Sequence, residues 1–271
     1  MMQLESELGF KVSLLASGSS GNATYIETPQ RKILVDCGLS GKAMEALMAK
    51  IGRNLSDVDS ILVTHEHSDH IHGVGVLARK YKMDVYANHE TWQAMEGKIG
   101  KLATEQKHIF ELGQMQTFGD LDIISYGVSH DAANPQFYAF QKDQKQFVML
   151  TDTGYVSDRL RGLLKNADAY LIESNHDLEM LRMGGYSWSL KQRILGDKGH
   201  LSNDDGALAT AEMVGDKTKR VFLGHLSRDN NMKAIAYDTA YAILRDKDCG
   251  LEENFQLYHT DPVEPTELFT I

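Results

Sequence analysis

Cysteine is nearly absent: a chain of 271 residues carries two, Cys37 and Cys249. Two thiols cannot build a disulfide framework, and their spacing is unlike that of a zinc ribbon, so both read as small buried side chains. Long apolar runs are missing as well. Nothing approaches the roughly eighteen apolar residues that a membrane span needs, and the opening Met1-Met2-Gln3-Leu4-Glu5 lacks a basic region followed by an apolar one, so a cytoplasmic protein with no membrane attachment is expected. No Pro-rich, Ser-rich or single-sign stretch marks a linker, and one domain over residues 1–271 is expected. Positive charge is short too. With 28 Lys and Arg against 38 Asp and Glu, the net charge of −10 excludes a chain that coats nucleic acid through clustered cations. It does not exclude an enzyme that brings divalent cations to an anionic substrate.

What is present is an alternation of short strand-like and helix-like runs. Strands are predicted at residues 11–16, 23–27, 32–36, 60–64, 121–126, 136–141, 146–150, 169–173, 220–224 and 256–259. Helices are predicted around 42–51, from the histidine cluster to about Lys82, and near 156–164, 204–214 and 234–245. This mixture fits a layered α/β architecture. Met44, Met48 and Met213 read as core filling.

The strongest signal is Thr64-His65-Glu66-His67-Ser68-Asp69-His70. On an extended segment, side chains at i and i+2 point the same way, so His65 and His67 can meet one ion. Asp69 and His70, where the chain turns into a helix with Ser68 or Asp69 as a candidate cap, can face a second ion. Imidazole and carboxylate donors suit Zn²⁺, with Mn²⁺ or Fe as further candidates. More donors follow other strands: His130 after 123–128, Asp152 after 147–150 and His225 after Val221-Phe222-Leu223-Gly224. Side chains delivered from strand ends converge at one sheet edge, the usual place for a site in layered α/β proteins.

From Leu14 to His225 these motifs resemble the metallo-β-lactamase superfamily: Asp36 in Leu34-Val35-Asp36-Cys37-Gly38, then the HxHxDH run, then His130, Asp152 and His225, all five in order. The resemblance implies a four-layer αββα sandwich. It further implies that His65, His67 and His130 hold one divalent ion, that Asp69, His70 and His225 hold another, that Asp152 bridges the two, and that Asp36 orients a ligand or the water between the ions. A hydroxide shared by the two ions is the implied nucleophile.

Two later segments, Glu173-Ser174-Asn175-His176 and Lys198-Gly199-His200-Leu201-Ser202-Asn203, are similar to segments of the superfamily's tRNA 3′-processing endonucleases. That similarity implies His200 as general acid, oriented by Glu173. Together with the Gly- and Ser-rich loop Ser17-Gly18-Ser19-Ser20-Gly21-Asn22, which offers backbone N–H groups to a phosphate, the motifs resemble a branch regarded as exonucleases that degrade duplex DNA from the 5′ end. Nucleic acid is the implied partner, DNA ahead of RNA.

Arg79, Lys80, Lys82, Lys191, Arg193 and Arg228 are candidates to follow a nucleic-acid backbone, and Tyr186 and Trp188 to stack on a base; solvated helix faces and ordinary packing are the alternatives. Other readings of the same motifs are an RNA or cyclic-nucleotide phosphodiesterase, a glyoxalase II-like thioesterase, and a metal-binding scaffold without catalysis. The thioesterase is disfavoured by Val128-Ser129-His130-Asp131, where that family has Pro-Gly-His-Thr, and a zinc β-lactamase by Asp152, where it would carry Cys.

Overall fold

A computed structural model describes residues 9–271, so the Met1–Glu5 opening lies outside it. The chain forms two compact units. One holds the chain up to Gly127 with Ala132–Gln144 and Asp261–Ile271; the other holds Val128–Asp131 and Lys145–Thr260.

In the first unit, β1 (Lys11–Ala16), β2 (Ala23–Glu27), β3 (Lys32–Val35), β4 (Ser60–Leu62), β5 (Asp84–Ala87), β6 (Lys107–Ile109) and β14 (Phe269–Thr270) make one sheet in the order β14-β1-β2-β3-β4-β5-β6. The β1, β2 and β3 strands are antiparallel neighbours, whereas β3 through β6 run parallel. Parallel neighbours need crossovers, supplied by α1 (Gly41–Lys50), α2 (Ser68–Ile71), α3 (Val74–Tyr81) and α4 (His89–Ile99). Helix α1 starts where the Ser40 side chain accepts from the Ala43 N–H, and it buries Met44, Leu47 and Met48 along one face. Strands β7 (Met115–Phe118), β8 (Leu121–Gly127) and β9 (Gln136–Lys142) form an antiparallel meander. Its β9 lies on the first sheet: the buried Tyr138 hydroxyl donates to the Val63 carbonyl at 2.9 Å, and its ring packs on Phe110.

In the second unit, β10 (Lys145–Leu150), β11 (Ala169–Glu173), β12 (Arg220–Gly224) and β13 (Gln256–His259) are parallel throughout. The connections hold α5 (Asp158–Leu163), α6 (Leu178–Met183), α7 (Trp188–Leu195), α8 (Asn203–Met213) and α9 (Lys233–Asp246). Every residue of β11 is buried, as a parallel strand covered on both faces should be. The chain thus has two seven-stranded sheets flanked by helices, an α/β sandwich.

Several local expectations are corrected. The helix expected from the histidine cluster to Lys82 is two helices, broken at His72 and Gly73. Residue His67, not Ser68 or Asp69, occupies the N-cap position of α2 and makes no side-chain cap bond. Strands β5, β6 and β7 and helix α4 fall in a stretch the sequence reading passed over, as do α6 and α7. Their apolar patterns are short; α4, for instance, buries Trp92, Met95 and Ile99 but carries polar residues and Gly97 between them. Met44, Met48 and Met213 are fully buried core residues, and so is Cys37, whereas Cys249 is half-buried.

Candidate metal centre

The first unit gathers its donors from three chain segments stitched together by backbone. Asn22 N–H donates to the Asp69 carbonyl at 2.8 Å, Gly38 N–H to Asn22 at 2.9 Å and Cys37 N–H to His70 at 2.8 Å. Glycine is required at 38, because a Cβ there would lie 1.7 Å from the Asp69 carbonyl oxygen. Asp36, the residue after β3, has a positive φ of 57°. That backbone, costly for a residue with a side chain, turns its carboxylate onto the segment that leaves β4: Oδ1 accepts from the Thr64 N–H, and Oδ2 accepts from the Thr64 hydroxyl and from His70 Nδ1–H, each at 2.8 Å. Since a carboxylate only accepts, the His70 proton sits on Nδ1, and Nε2 carries the lone pair, facing the Asn22 amide at 3.1 Å.

Thr64 Oγ1 in turn lies 3.0 Å from His65 Nδ1, which leaves Nε2 of His65 facing Nδ1 of His67 at 3.1 Å. The i, i+2 spacing therefore does bring these two nitrogens to one point. Two imidazole nitrogens this close need a proton or a cation between them. Asp69 Oδ2 lies 3.5 Å from His70 Nε2. The intervening Glu66 points elsewhere, accepting from the Ala133 N–H at 2.9 Å while Lys98 donates to its carbonyl.

The second unit is organised around one carboxylate. Glu173, at the end of β11, is wholly buried. Its Oε1 accepts from His200 Nδ1–H and His225 Nδ1–H, both at 2.8 Å, and its Oε2 accepts from the Thr153 and Leu201 N–H groups at 3.0 and 3.1 Å. Burial alone would push this carboxyl up, but the charge and hydrogen bonds of His200 and His225 outweigh it and hold the group well below the usual carboxylate range. Both imidazoles are thereby fixed with Nε2 turned away from Glu173.

Asp152 follows β10 and His225 follows β12, again at positive φ, 58° and 55°. His225 Nε2 lies 3.4 Å and His130 Nε2 3.9 Å from Asp152 Oδ1. The Gly199 carbonyl accepts from His130 Nδ1–H at 3.1 Å, and burial pushes the His130 imidazole toward its neutral form, the one that binds metal. Gly199 has no room for a side chain, with the Ile194 carbonyl 2.0 Å from where a Cβ would sit. The donor atoms of Asp152, Glu173, His200 and His225 all lie within 4.8 Å of one another. Of these, Glu173 already accepts four hydrogen bonds and so orients rather than ligates.

Both groups fit a divalent cation. Donors at about 2.1 Å from a tetrahedral ion are about 3.4 Å apart, close to the 3.1 to 3.9 Å separations found in each unit. The donor set, imidazole and carboxylate without thiolate, suits Zn²⁺ and its neighbours.

Sequence reasoning missed the buried amides that hold the second unit's loops in place. Asn203 and Asn231 pair through their side chains at 3.1 and 2.8 Å, Asn231 also donates to the Ser174 carbonyl, and Asn175 donates to the His225 carbonyl at 2.9 Å. The run Asp229-Asn230-Asn231 just beyond His225 was the signal available. Buried His176, after Glu173 in the chain, is pushed down to about 4 by desolvation and stays neutral.

Most of the cations proposed for a nucleic-acid backbone are engaged within the protein. Lys191 is buried and donates to the Arg182 and Gly184 carbonyls, Arg193 pairs with Asp131, Lys80 with Glu45, and Arg79 donates to the Ile99 carbonyl. The Tyr186 hydroxyl is tied to Asp229, whereas Trp188 is 67% exposed.

Among the described residues no helix is long and apolar enough to cross a membrane. A Beta-lactamase superfamily domain matches residues 31–226. Over 268 residues, 98% of this chain and 100% of the relative, it is 60% identical to the exodeoxyribonuclease WalJ of Streptococcus pneumoniae. It is 55% identical over 261 residues to the exodeoxyribonuclease YycJ of Bacillus anthracis, covering 96% of this chain and 99% of that one. In three dimensions it is similar to the metallo-β-lactamase fold protein YhfI of Bacillus subtilis, with a TM-score of 0.70 at 15% identity over 95% of this chain and 99% of the other. The HxHxDH run, the strand-end donors and the match to the family domain together make this chain a member of the metallo-β-lactamase superfamily.

Proposed function

We propose that the chain works as a single domain over 1–271 and is a DNA exonuclease, hydrolysing phosphodiester bonds of duplex DNA from the 5′ end with two divalent ions, Zn²⁺ or Mn²⁺. Supporting this is one observation above the rest: a full set of imidazole and carboxylate donors in a chain 60% identical, end to end, to a protein named an exodeoxyribonuclease. In this reading, as the family resemblance implies, His65, His67 and His130 would hold one ion and Asp69, His70 and His225 the other, with Asp152 available to both. When bound, such cations supply Lewis acidity, drawing electron density from nearby oxygens and lowering the pKa of a water toward neutrality.

The chain's own residues do the rest. Asp36 keeps His70 in the tautomer that presents Nε2. Glu173 does the same for His225 and for His200. The His200 side chain is 20% exposed against 2% for His225, so its Nε2 is the one open to exchange with solvent. Acting as general acid, it would pass a proton from Nε2 to the leaving oxygen as a water oxygen bonds to phosphorus and the P–O bond to the leaving group breaks, with Glu173 accepting from Nδ1–H and holding the ring in place. The cytoplasm is the compartment proposed with this reading, as one where duplex DNA is at hand.

The test uses metal-loaded protein beside Asp69→Ala, with end-labelled duplex DNA, single-stranded DNA, RNA and an acyl-glutathione thioester. Loss of label from the 5′ end of the duplex, abolished in the variant, is expected. Thioester turnover without DNA degradation would replace this reading with the thioesterase, and preferential loss of RNA would replace the substrate.

A further inference from the structure

The Ser17–Asn22 loop contributes one side chain to the donors of the first unit, and that side chain's orientation is fixed. Asn22 Oδ1 accepts from the Gly18 N–H at 3.0 Å. The amide group is therefore turned so that Nδ2 points inward, 3.1 Å from His70 Nε2, 3.3 Å from Asp69 Oδ2 and 3.5 Å from the Asp69 carbonyl. The residue is 9% exposed. Its backbone already joins the segments, through the bonds from Asn22 N–H to Asp69 and from Gly38 N–H to Asn22. The side-chain NH₂ is not needed for that stitching. What it adds is an N–H donor directly beside two acceptors, a carboxylate oxygen and an imidazole lone pair.

We propose that Asn22 binds substrate: its Nδ2 donates to a non-bridging oxygen of the phosphate held beside Asp69 and His70. The inference rests on the phosphodiesterase reading above. A lone pair given to a cation is closed to an N–H donor, so metal binding at His70 releases the amide from that nitrogen. It leaves the amide, still anchored by Gly18, with its protons directed at whatever anion the ion attracts. A phosphate oxygen answers both, taking positive charge from one side and a hydrogen bond from the other.

Two variants separate this role from a structural one. In Asn22→Asp the Gly18 bond can persist while the inward donor becomes an acceptor; Asn22→Ala removes the donor without adding charge. Full-length protein is loaded with Mn²⁺, its metal content and melting temperature are measured, and inorganic phosphate is titrated calorimetrically. Both variants are expected to keep their metal and fold while binding phosphate about tenfold or more weakly, the worth of one hydrogen bond to a charged partner. On labelled DNA the same variants should raise KM as well as lower kcat.

Phosphate affinity equal to wild type in both variants overturns the proposal, and so does a loss of metal in parallel with phosphate, which would make Asn22 only a support for Asp69. If wild-type protein degrades DNA and the variants match it, this inference alone fails. If wild-type protein takes up neither ions nor phosphate, the phosphodiesterase reading fails with it.

Discussion

The two units supply donors of similar chemistry by opposite means. In the first, His65, His67, Asp69 and His70 come from six consecutive positions, and backbone bonds from two neighbouring segments hold that run in place. In the second, His130, Asp152, His200 and His225 come from four separated segments, and one buried carboxylate, Glu173, fixes two of the imidazoles at once. A site built from a contiguous run depends on local geometry, so a single change there perturbs one or two donors. A site built around a shared acceptor concentrates its dependence in that acceptor.

The sharpest way to break this contrast is Glu173→Gln. A neutral amide that must also donate cannot accept from four N–H groups, so turnover on labelled duplex should fall by about 10³-fold or more, with weaker uptake of metal. A loss below tenfold would show that Glu173 does not organise the second unit. Next comes His200→Ala, expected to reduce turnover by about 10²–10⁴-fold, the range of a lost general acid. Because His200 carries out a step rather than holding others in place, elemental analysis should find its metal content unchanged. In the first unit Asp36→Asn should be milder, lowering metal affinity by about 10–100-fold; chelator competition measures it, and an effect as large as that of Glu173→Gln would erase the distinction between the units.

Acid acts on the stability of the fold rather than on turnover or metal uptake. His176 in the second unit is buried neutral, its pKa pushed down to about 4. The unfolded chain then binds the extra proton first, so stability falls as pH drops from about 6.5 toward 4, by up to about 3 kcal/mol from this group. In the first unit Glu27 behaves differently. Burial would raise its carboxyl, but hydrogen bonds from Arg53 and Tyr25 hold it below its usual range. Its contribution is present above the unfolded pKa of about 4.3 and is lost only in stronger acid. Urea unfolding of metal-free protein at pH 7, 5 and 4, repeated with His176→Asn, should show a flatter pH dependence in the variant between 7 and 4. An unchanged slope would remove His176 as its source.

Much of the outline was legible in the chain itself. Strand runs such as Ala169–Glu173 and Arg220–Gly224 were found because buried parallel strands are continuously apolar. The stretch from Met83 to Phe118 was not, since β5, β6 and β7 are three or four residues long and α4 presents a broken apolar face. For the donors, His65 and His67 could be paired on paper because strand periodicity is a local rule. Nothing local predicts the left-handed backbone at Asp36, Asp152 and His225, three residues that follow strands and carry Cβ atoms. That conformation is imposed by what surrounds each of them.

The sequence by itself determined the type and order of the donors, because imidazole and carboxylate at these spacings have few other uses, and it determined the alternation of strand and helix through apolar periodicity. Only the tertiary structure decided which way each donor faces. Tautomer and direction depend on acceptors far away in the chain, Asp36 for His70 and Glu173 for His200 and His225, and on the Gly18 N–H that turns the Asn22 amide inward. A hydrogen bond between residues many positions apart leaves no period in the sequence to read.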